Sequence, residues 1–115
     1  MRRPHKYGAK ATVVDNIRFA SKREAARYAE LKLLEKAGEI SNLELQPVYP
    51  LVVRDRVHHS EATTIGKYTA DFRYREGPQG LLVVEDVKSS ATKTTAYRLR
   101  KKFVEAQYGI EIREV

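Results

Sequence analysis

The sequence predicts a single α/β domain with a central mixed β-sheet, and three observations lead there. A capped helical pattern begins at Ser21, a series of short apolar runs with strand spacing follows, and a second helical pattern near residue 95 precedes one more apolar run. In order these give a hairpin, a helix, three or four strands, a helix and a strand. Residues 1–10, MRRPHKYGAK, mix Pro, Gly and basic residues and read as a flexible basic arm, leaving 11–115 as the domain.

Thr12-Val13-Val14 and Ile17-Arg18-Phe19 flank Asp15-Asn16, a two-residue hairpin turn in composition. Ser21-Lys22-Arg23-Glu24 fits a capping box, with Ser21 as N-cap and Glu24 three residues on. The helix after it carries Ala25, Ala29, Leu33, Leu34 and Ala37 at helical spacing and stops at Gly38. Ile40 to Leu45 and Tyr49 to Val53 read as strands, separated by Gln46-Pro47. The polar run from Arg54 to Lys67 shows no period and reads as a long loop that includes His58-His59. From Tyr68 to Arg75 the alternation is strict, with Tyr68, Ala70, Phe72 and Tyr74 on one face. Leu81 to Lys88 is apolar on both faces until it ends in charge, as a central strand should be. Thr94 or Thr95 caps a second helix through about Gln107 with Leu99 and Phe103 inward; Gly109 ends it, and Ile110-Glu111-Ile112 forms the last strand.

The chain has 115 residues and no cysteine, which excludes disulfides, thiol catalysis and cysteine-ligated zinc. No apolar stretch approaches the length of a membrane span, and residues 1–10 lack the apolar core of a signal peptide, so a cytoplasmic protein is expected. Net charge is +7 and is concentrated. Arg2, Arg3, Lys6 and Lys10 lie in one acid-free decade, and Lys93, Arg98, Arg100, Lys101 and Lys102 in another, so that the other 95 residues sum to −2. Such clustering is the footprint of a polyanion-binding surface, and nucleic acid is the leading partner.

The chemistry-bearing pattern lies on the two best-defined strands. Asp86 and Lys88 share one face of their strand, because side chains alternate with period two. If Gly77-Pro78-Gln79-Gly80 is a four-residue loop, Glu76 faces Leu81 and Asp71 falls opposite Asp86. Cross-strand Cβ atoms are about 4.5–5.5 Å apart, so two carboxylates there repel, and a divalent cation relieves that repulsion. A one-residue slip would set Glu85 opposite Asp71 instead, and the alternation leaves both registers open. Hard oxygen ligands suit Mg²⁺, with Mn²⁺ as a substitute. His58 and His59, adjacent in a loop, do not have the spacing that converges on one ion.

Asp71, separated by fourteen residues from Asp86-Val87-Lys88, resembles the signature of the PD-(D/E)XK nuclease superfamily. The likeness is strongest to phage and prophage proteins related to endonuclease-I-type and archaeal-type Holliday junction resolvases. It rests on Phe19-Ala20-Ser21-Lys22-Arg23-Glu24, Leu45-Gln46-Pro47, Tyr68-Thr69-Ala70-Asp71-Phe72 and Val84-Glu85-Asp86-Val87-Lys88, with Ala70 where the motif has proline. The resemblance implies a restriction-endonuclease-like core of order αβββαβ behind an N-terminal hairpin. It implies an Mg²⁺-dependent DNA endonuclease, acting on branched or junction DNA in phage recombination or DNA processing. Asp71, Asp86 and Glu24 would hold the metal, Lys88 would orient water or stabilise phosphate charge, and Gln46 would line the site. Glu24 stands between that role and the helix cap. A homodimer would provide two sites for two strands. The alternatives are a non-catalytic DNA-binding module, or a nuclease subunit of a larger recombination or transposition complex.

Overall fold

The structure is a computed structural model and describes residues 11–58 and 60–115. Strands β1 (Thr12–Val14) and β2 (Ile17–Phe19) pair antiparallel across Asp15 and Asn16, both left-handed at φ 53° and 63°, as a two-residue turn of this kind requires. Helix α1 (Lys22–Lys36) opens on Ser21, whose hydroxyl accepts the Glu24 N–H at 3.1 Å. Gly38, at φ 81°, lets the chain leave the helix.

The buried face of α1 is Glu24, Ala25, Tyr28 and Leu31, not the row of Ala29, Leu33 and Leu34 that the spacing favours. Those three are exposed, Leu33 by 69%. The helix turns Tyr28 inward because its ring packs 5.0 Å from that of Phe19 and its hydroxyl donates to Asp15 in the hairpin turn. One aromatic residue that meets both a ring and an acceptor outweighs two leucines on the opposite side.

Beyond α1 come β3 (Ile40–Leu45), β4 (Val48–Asp55), β5 (Ser60–Thr69), β6 (Phe72–Glu76) and β7 (Leu81–Asp86), then α2 (Thr95–Tyr108) and β8 (Ile112–Glu114). The central sheet runs β3-β6-β7-β8, antiparallel except for the parallel pair β7–β8, so the class is α/β with a mixed sheet and two helices. Val83 and Val84 point to opposite faces and divide the interior in two. Phe72, Tyr74 and Val83 pack with Tyr28, Leu31 and Phe19 on the α1 side. Val84 and Ile112 pack with Val104 of α2 and with Tyr49, Leu51, Tyr68 and Ala70 on the other. Fully burying an aliphatic or aromatic side chain contributes roughly 1.5–3 kcal/mol, so neither core is dispensable.

Two expectations are corrected here. The stretch 54–67 is not a loop: β4 and β5 form a long antiparallel hairpin with Tyr49 opposite Tyr68 and two register shifts. Its outer half is mostly exposed and mixes apolar with polar residues, so no alternation marks it. Nor is 68–75 one strand. At Ala70–Asp71 the chain leaves the hairpin and enters the central sheet: Ala70 N–H donates to Pro47 C=O, and Asp71 N–H to Glu85 C=O. Tyr68 and Ala70 therefore serve one core and Phe72 and Tyr74 the other, although all four are buried.

In α2, Thr94 caps the Tyr97 N–H, Gly109 ends the helix at φ 65°, and Val104 is the fully buried residue. Leu99, expected inward, is 67% exposed, because the inward face is set by Tyr97, Lys101 and Val104. The last strand begins two residues later than expected, at Ile112.

Candidate functional site

The β6–β7 hairpin has the register that a four-residue turn dictates. Glu76 pairs with Leu81 and Phe72 with Glu85, so continuation of the ladder sets Asp71 against Asp86. Backbone and side chain lock this end together: Asp71 N–H lies 3.2 Å from Asp86 Oδ1, and Asp71 Oδ2 accepts the Val87 N–H at 2.7 Å. The competing register is excluded. Glu85 points to the α1 core, where Arg27 Nε and Nη2 hold its two oxygens at 2.9 and 2.6 Å and the Tyr74 hydroxyl donates to it as well.

Glu24 arrives from the first turn of α1. Ser21 makes its half of the capping box, but the Glu24 carboxylate does not return the bond and accepts none from any described residue. It is 9% exposed, and its carboxyl is pushed up to about 7, first by burial and then by the charge of Asp71. Lys88 pulls the other way and Asp86 adds to the rise. Asp86, 2% exposed, is raised to about 6, mostly by burial, with Lys88 and the Asp71 N–H opposing. Asp71 is raised by burial too, against the Val87 N–H and Lys88. Three acids and one ammonium thus share one electrostatic environment at the end of the central sheet.

Lys88 reaches this environment without closing on a carboxylate. Its Nζ sits 4.5 Å from the centroid of the Tyr97 ring, a cation–π contact, and its backbone N–H donates to Val115 C=O. The Tyr68 hydroxyl donates to Asp86 Oδ2. Among the described residues, no three His, Cys, Asp or Glu side chains converge into a ready-made metal cage. Gln46 is exposed and left-handed at φ 50°, and its N–H donates to the Asp71 C=O at 2.9 Å, which places it beside the site. Backbone strain in a non-glycine residue of this kind concentrates at functional positions.

The basic residues separate. Arg98, Arg100 and Lys102 stand exposed on α2 with no acid of the described chain paired to them. Lys93 and Lys101 instead face Glu114, at 3.4 and 3.7 Å, so the decade that is acid-free in sequence meets an acid in space. Arg2, Arg3, Lys6, Lys10 and His59 lie outside the described residues. His58 belongs to the β4–β5 turn, where Asp55 accepts its backbone N–H and that of Val57 and pairs with its ring. Those bonds, with that of Thr63, hold the Asp55 carboxyl down at about 2.

Sequence reasoning did not single out Tyr68, Tyr97, Glu114 or Arg27. Arg27 follows Glu24 by three residues and so shares its side of the helix, a signal that was available. Tyr97 and Glu114 depend on the parallel β7–β8 pairing and Tyr68 on the crossing from the β4–β5 hairpin into the central sheet, and no local pattern reveals either.

A model of a family described as "Protein of unknown function (DUF1064)" matches residues 4–114. No curated protein and no solved structure matches the chain. No helix among the described residues is long and apolar enough to cross a membrane.

Proposed function

This chain belongs to the DUF1064 family, and we propose that it is a metal-dependent endonuclease that hydrolyses phosphodiester bonds in DNA. One observation carries the reading: partly buried Asp71, at the entry to β6, meets buried Asp86 at the end of β7, with buried Glu24 in the same electrostatic environment and with Lys88 near but not paired to an acid. An arrangement that leaves buried carboxylates without a cation at contact distance costs stability, and such cost is typical of sites rather than scaffolds. The chain order of α1, β3, β6, β7, α2 and β8 is also the αβββαβ order of a restriction-endonuclease-like core, with the β4–β5 hairpin inserted.

The donor set suits a hard divalent ion such as Mg²⁺ or Mn²⁺. Glu24 has a carboxylate free of hydrogen bonds to described residues, and Asp71 spends only one oxygen on the chain. Glu24, Asp71 and Asp86 would hold the ion. When bound, it would supply Lewis acidity and a lowered pKa for water. The chain's own part is then positional. The Tyr68 hydroxyl and the Asp71 N–H fix the Asp86 carboxylate, and Lys88 provides a compact positive charge for a phosphate oxygen. Exposed Arg98, Arg100 and Lys102 would meet further phosphates, which makes binding salt-sensitive and weakly dependent on sequence. Branched or junction DNA is the substrate class this reading favours, in phage recombination or DNA processing within a cytoplasm. Cutting both strands would call for a homodimer.

The second reading, a non-catalytic DNA-binding module or a subunit of a larger recombination complex, is favoured by the absence of a preassembled three-ligand cage among the described residues. One experiment separates the two. Purified protein is incubated with linear, nicked, flapped and four-way DNA in Mg²⁺, in Mn²⁺ and in chelator. Cleavage that the chelator abolishes supports the enzyme; tight binding with no cleavage in either metal replaces it with the module.

A further inference from the structure

Beside the carboxylate pair lies a second charged cluster with a different composition. The parallel register of β7 and β8 places Glu114 alongside Asp86. Glu114 Oε2 accepts the Tyr97 hydroxyl at 2.8 Å, while Oε1 faces Lys93 and Lys101. Tyr97 also carries Lys88 on its ring. Two ammonium groups and a phenol from α2 and the turn before it therefore converge on one partly exposed carboxylate. Its neighbour is a residue of the candidate site.

As a stabilising device this cluster is poor. Loose, half-exposed ion pairs at these distances contribute about 0–1 kcal/mol each. Glu114 also sets a like charge beside Asp86, which counts among the causes that raise the Asp86 carboxyl. As a receptor the cluster is well composed. A phosphodiester, like a carboxylate, carries one negative charge on oxygen acceptors, and lysine suits phosphate as a mobile point charge.

We propose that Lys93, Lys101 and the Tyr97 hydroxyl form a subsite for a DNA backbone phosphate adjoining the scissile one, and that Glu114 occupies it as a resident anion until DNA displaces it. The inference rests on the reading of DNA as the partner, and it adds a residue that restrains binding. While Glu114 offsets one of the two lysine charges internally, the pair has less charge to present to phosphate, so both affinity and its salt dependence are reduced.

The test is fluorescence anisotropy on a labelled 20-base-pair duplex across a salt series, in chelator so that nothing is cut. Glu114→Gln keeps an acceptor for Tyr97 and removes the charge. It is expected to bind on the order of tenfold tighter at low salt, with the slope of log K against log salt steeper by about 1–2. Adding Lys93→Ala and Lys101→Ala to that variant should abolish the gain. In the unaltered background, Lys93→Ala with Lys101→Ala should change affinity much less than in the Glu114→Gln background. Wild-type affinity and slope in Glu114→Gln overturn the inference, as does a gain that survives loss of both lysines. If the protein cleaves DNA but Glu114→Gln binds as wild type, only the subsite falls. If Glu114→Gln binds tighter but no metal supports cleavage, only the nuclease falls. Absence of duplex binding in every variant overturns both.

Discussion

Glu85 and Asp86 are consecutive residues of one strand, both buried, and they face opposite sides of the sheet. On the α1 side, Glu85 receives a bidentate guanidinium and a phenol, so its charge is compensated at contact distance. On the other side, Asp86 receives a phenol and a backbone N–H, while Lys88 and Lys101 act on it only through space. The first is a finished ion pair that fastens α1 to β7. The second is an unfinished one, whose carboxyl holds its proton to a higher pH than usual. Burial alone does not distinguish a structural acid from a functional one; the distance to the nearest cation does.

The sharpest way to break this comparison is to neutralise each acid in turn. Asp86→Asn, Asp71→Asn and Lys88→Ala should each lower DNA cleavage by 10² to 10³ or more, in line with loss of a group that acts on the transition state. Glu85→Gln should retain far more activity. Single-turnover rates on branched DNA would decide, and equal losses at Glu85 and Asp86 would erase the distinction.

Stability should show the opposite ranking. Glu85→Ala removes the bidentate partner of the partly exposed Arg27, which keeps only Glu30, and takes the acceptor from the Tyr74 hydroxyl, so the expected loss is about 1–3 kcal/mol in a urea titration. Asp86→Asn should leave stability at neutral pH unchanged or raise it.

The pH dependence follows with a definite sign. Glu24 at about 7 and Asp86 at about 6 both titrate higher in the folded chain than in the unfolded one. The native chain therefore binds more protons through that range, and stability falls as pH rises from about 5 to 7. Glu35, Glu76 and Glu114 are shifted downward, so their contribution, of opposite sign, is complete below this window. The unfolding free energy from urea titrations should be lower at pH 7.5 than at pH 5 by an amount on the order of 1–2 kcal/mol. Glu24→Gln and Asp86→Asn should each flatten the fall, and Mg²⁺ should oppose it.

The smallest effect isolates backbone strain. Gln46→Gly should stabilise the fold by about 0.5–1 kcal/mol, because glycine accepts positive φ freely. Loss of the Gln46 side chain, which the nuclease reading places at the edge of the site, should also reduce cleavage, while the backbone bond to Asp71 is kept. Asn42→Gly, at φ 56° in the β3 irregularity, should give a smaller stabilisation, because asparagine already tolerates positive φ, with no change in cleavage. Thermal melts paired with rates would separate the two.

What could be read in the sequence was governed by range. The Asp15-Asn16 turn and the Ser21 cap each depend on a few consecutive residues and were legible, whereas the apposition of Asp71 with Asp86 was one of two open registers, and the four-residue turn decides it. The break at Ala70–Asp71 was not. Both halves of the stretch bury alternate residues, so the pattern runs on across a change of core. The β4–β5 ribbon was hidden for the converse reason, since an uncovered hairpin has no face to mark. Leu33 and Leu99 misled because helical spacing identifies a face without saying which face the sheet will meet. Glu24 could not be divided between cap and site until α1 was set against β7, a placement that depends on Arg27 and Glu85.

The parallel pairing of β7 with β8 also imposes an order on assembly. Asp71 and Asp86 are brought together by a hairpin whose turn is four residues, a closure of microseconds. Glu114 reaches Asp86 only after α2 has formed and crossed back over the sheet, a contact between residues 28 apart in the chain. The apposition of the two aspartates therefore precedes the arrival of both Glu114 and Lys101, so the charges that act on Asp86 from α2 and β8 are added last, after the hairpin has set its position.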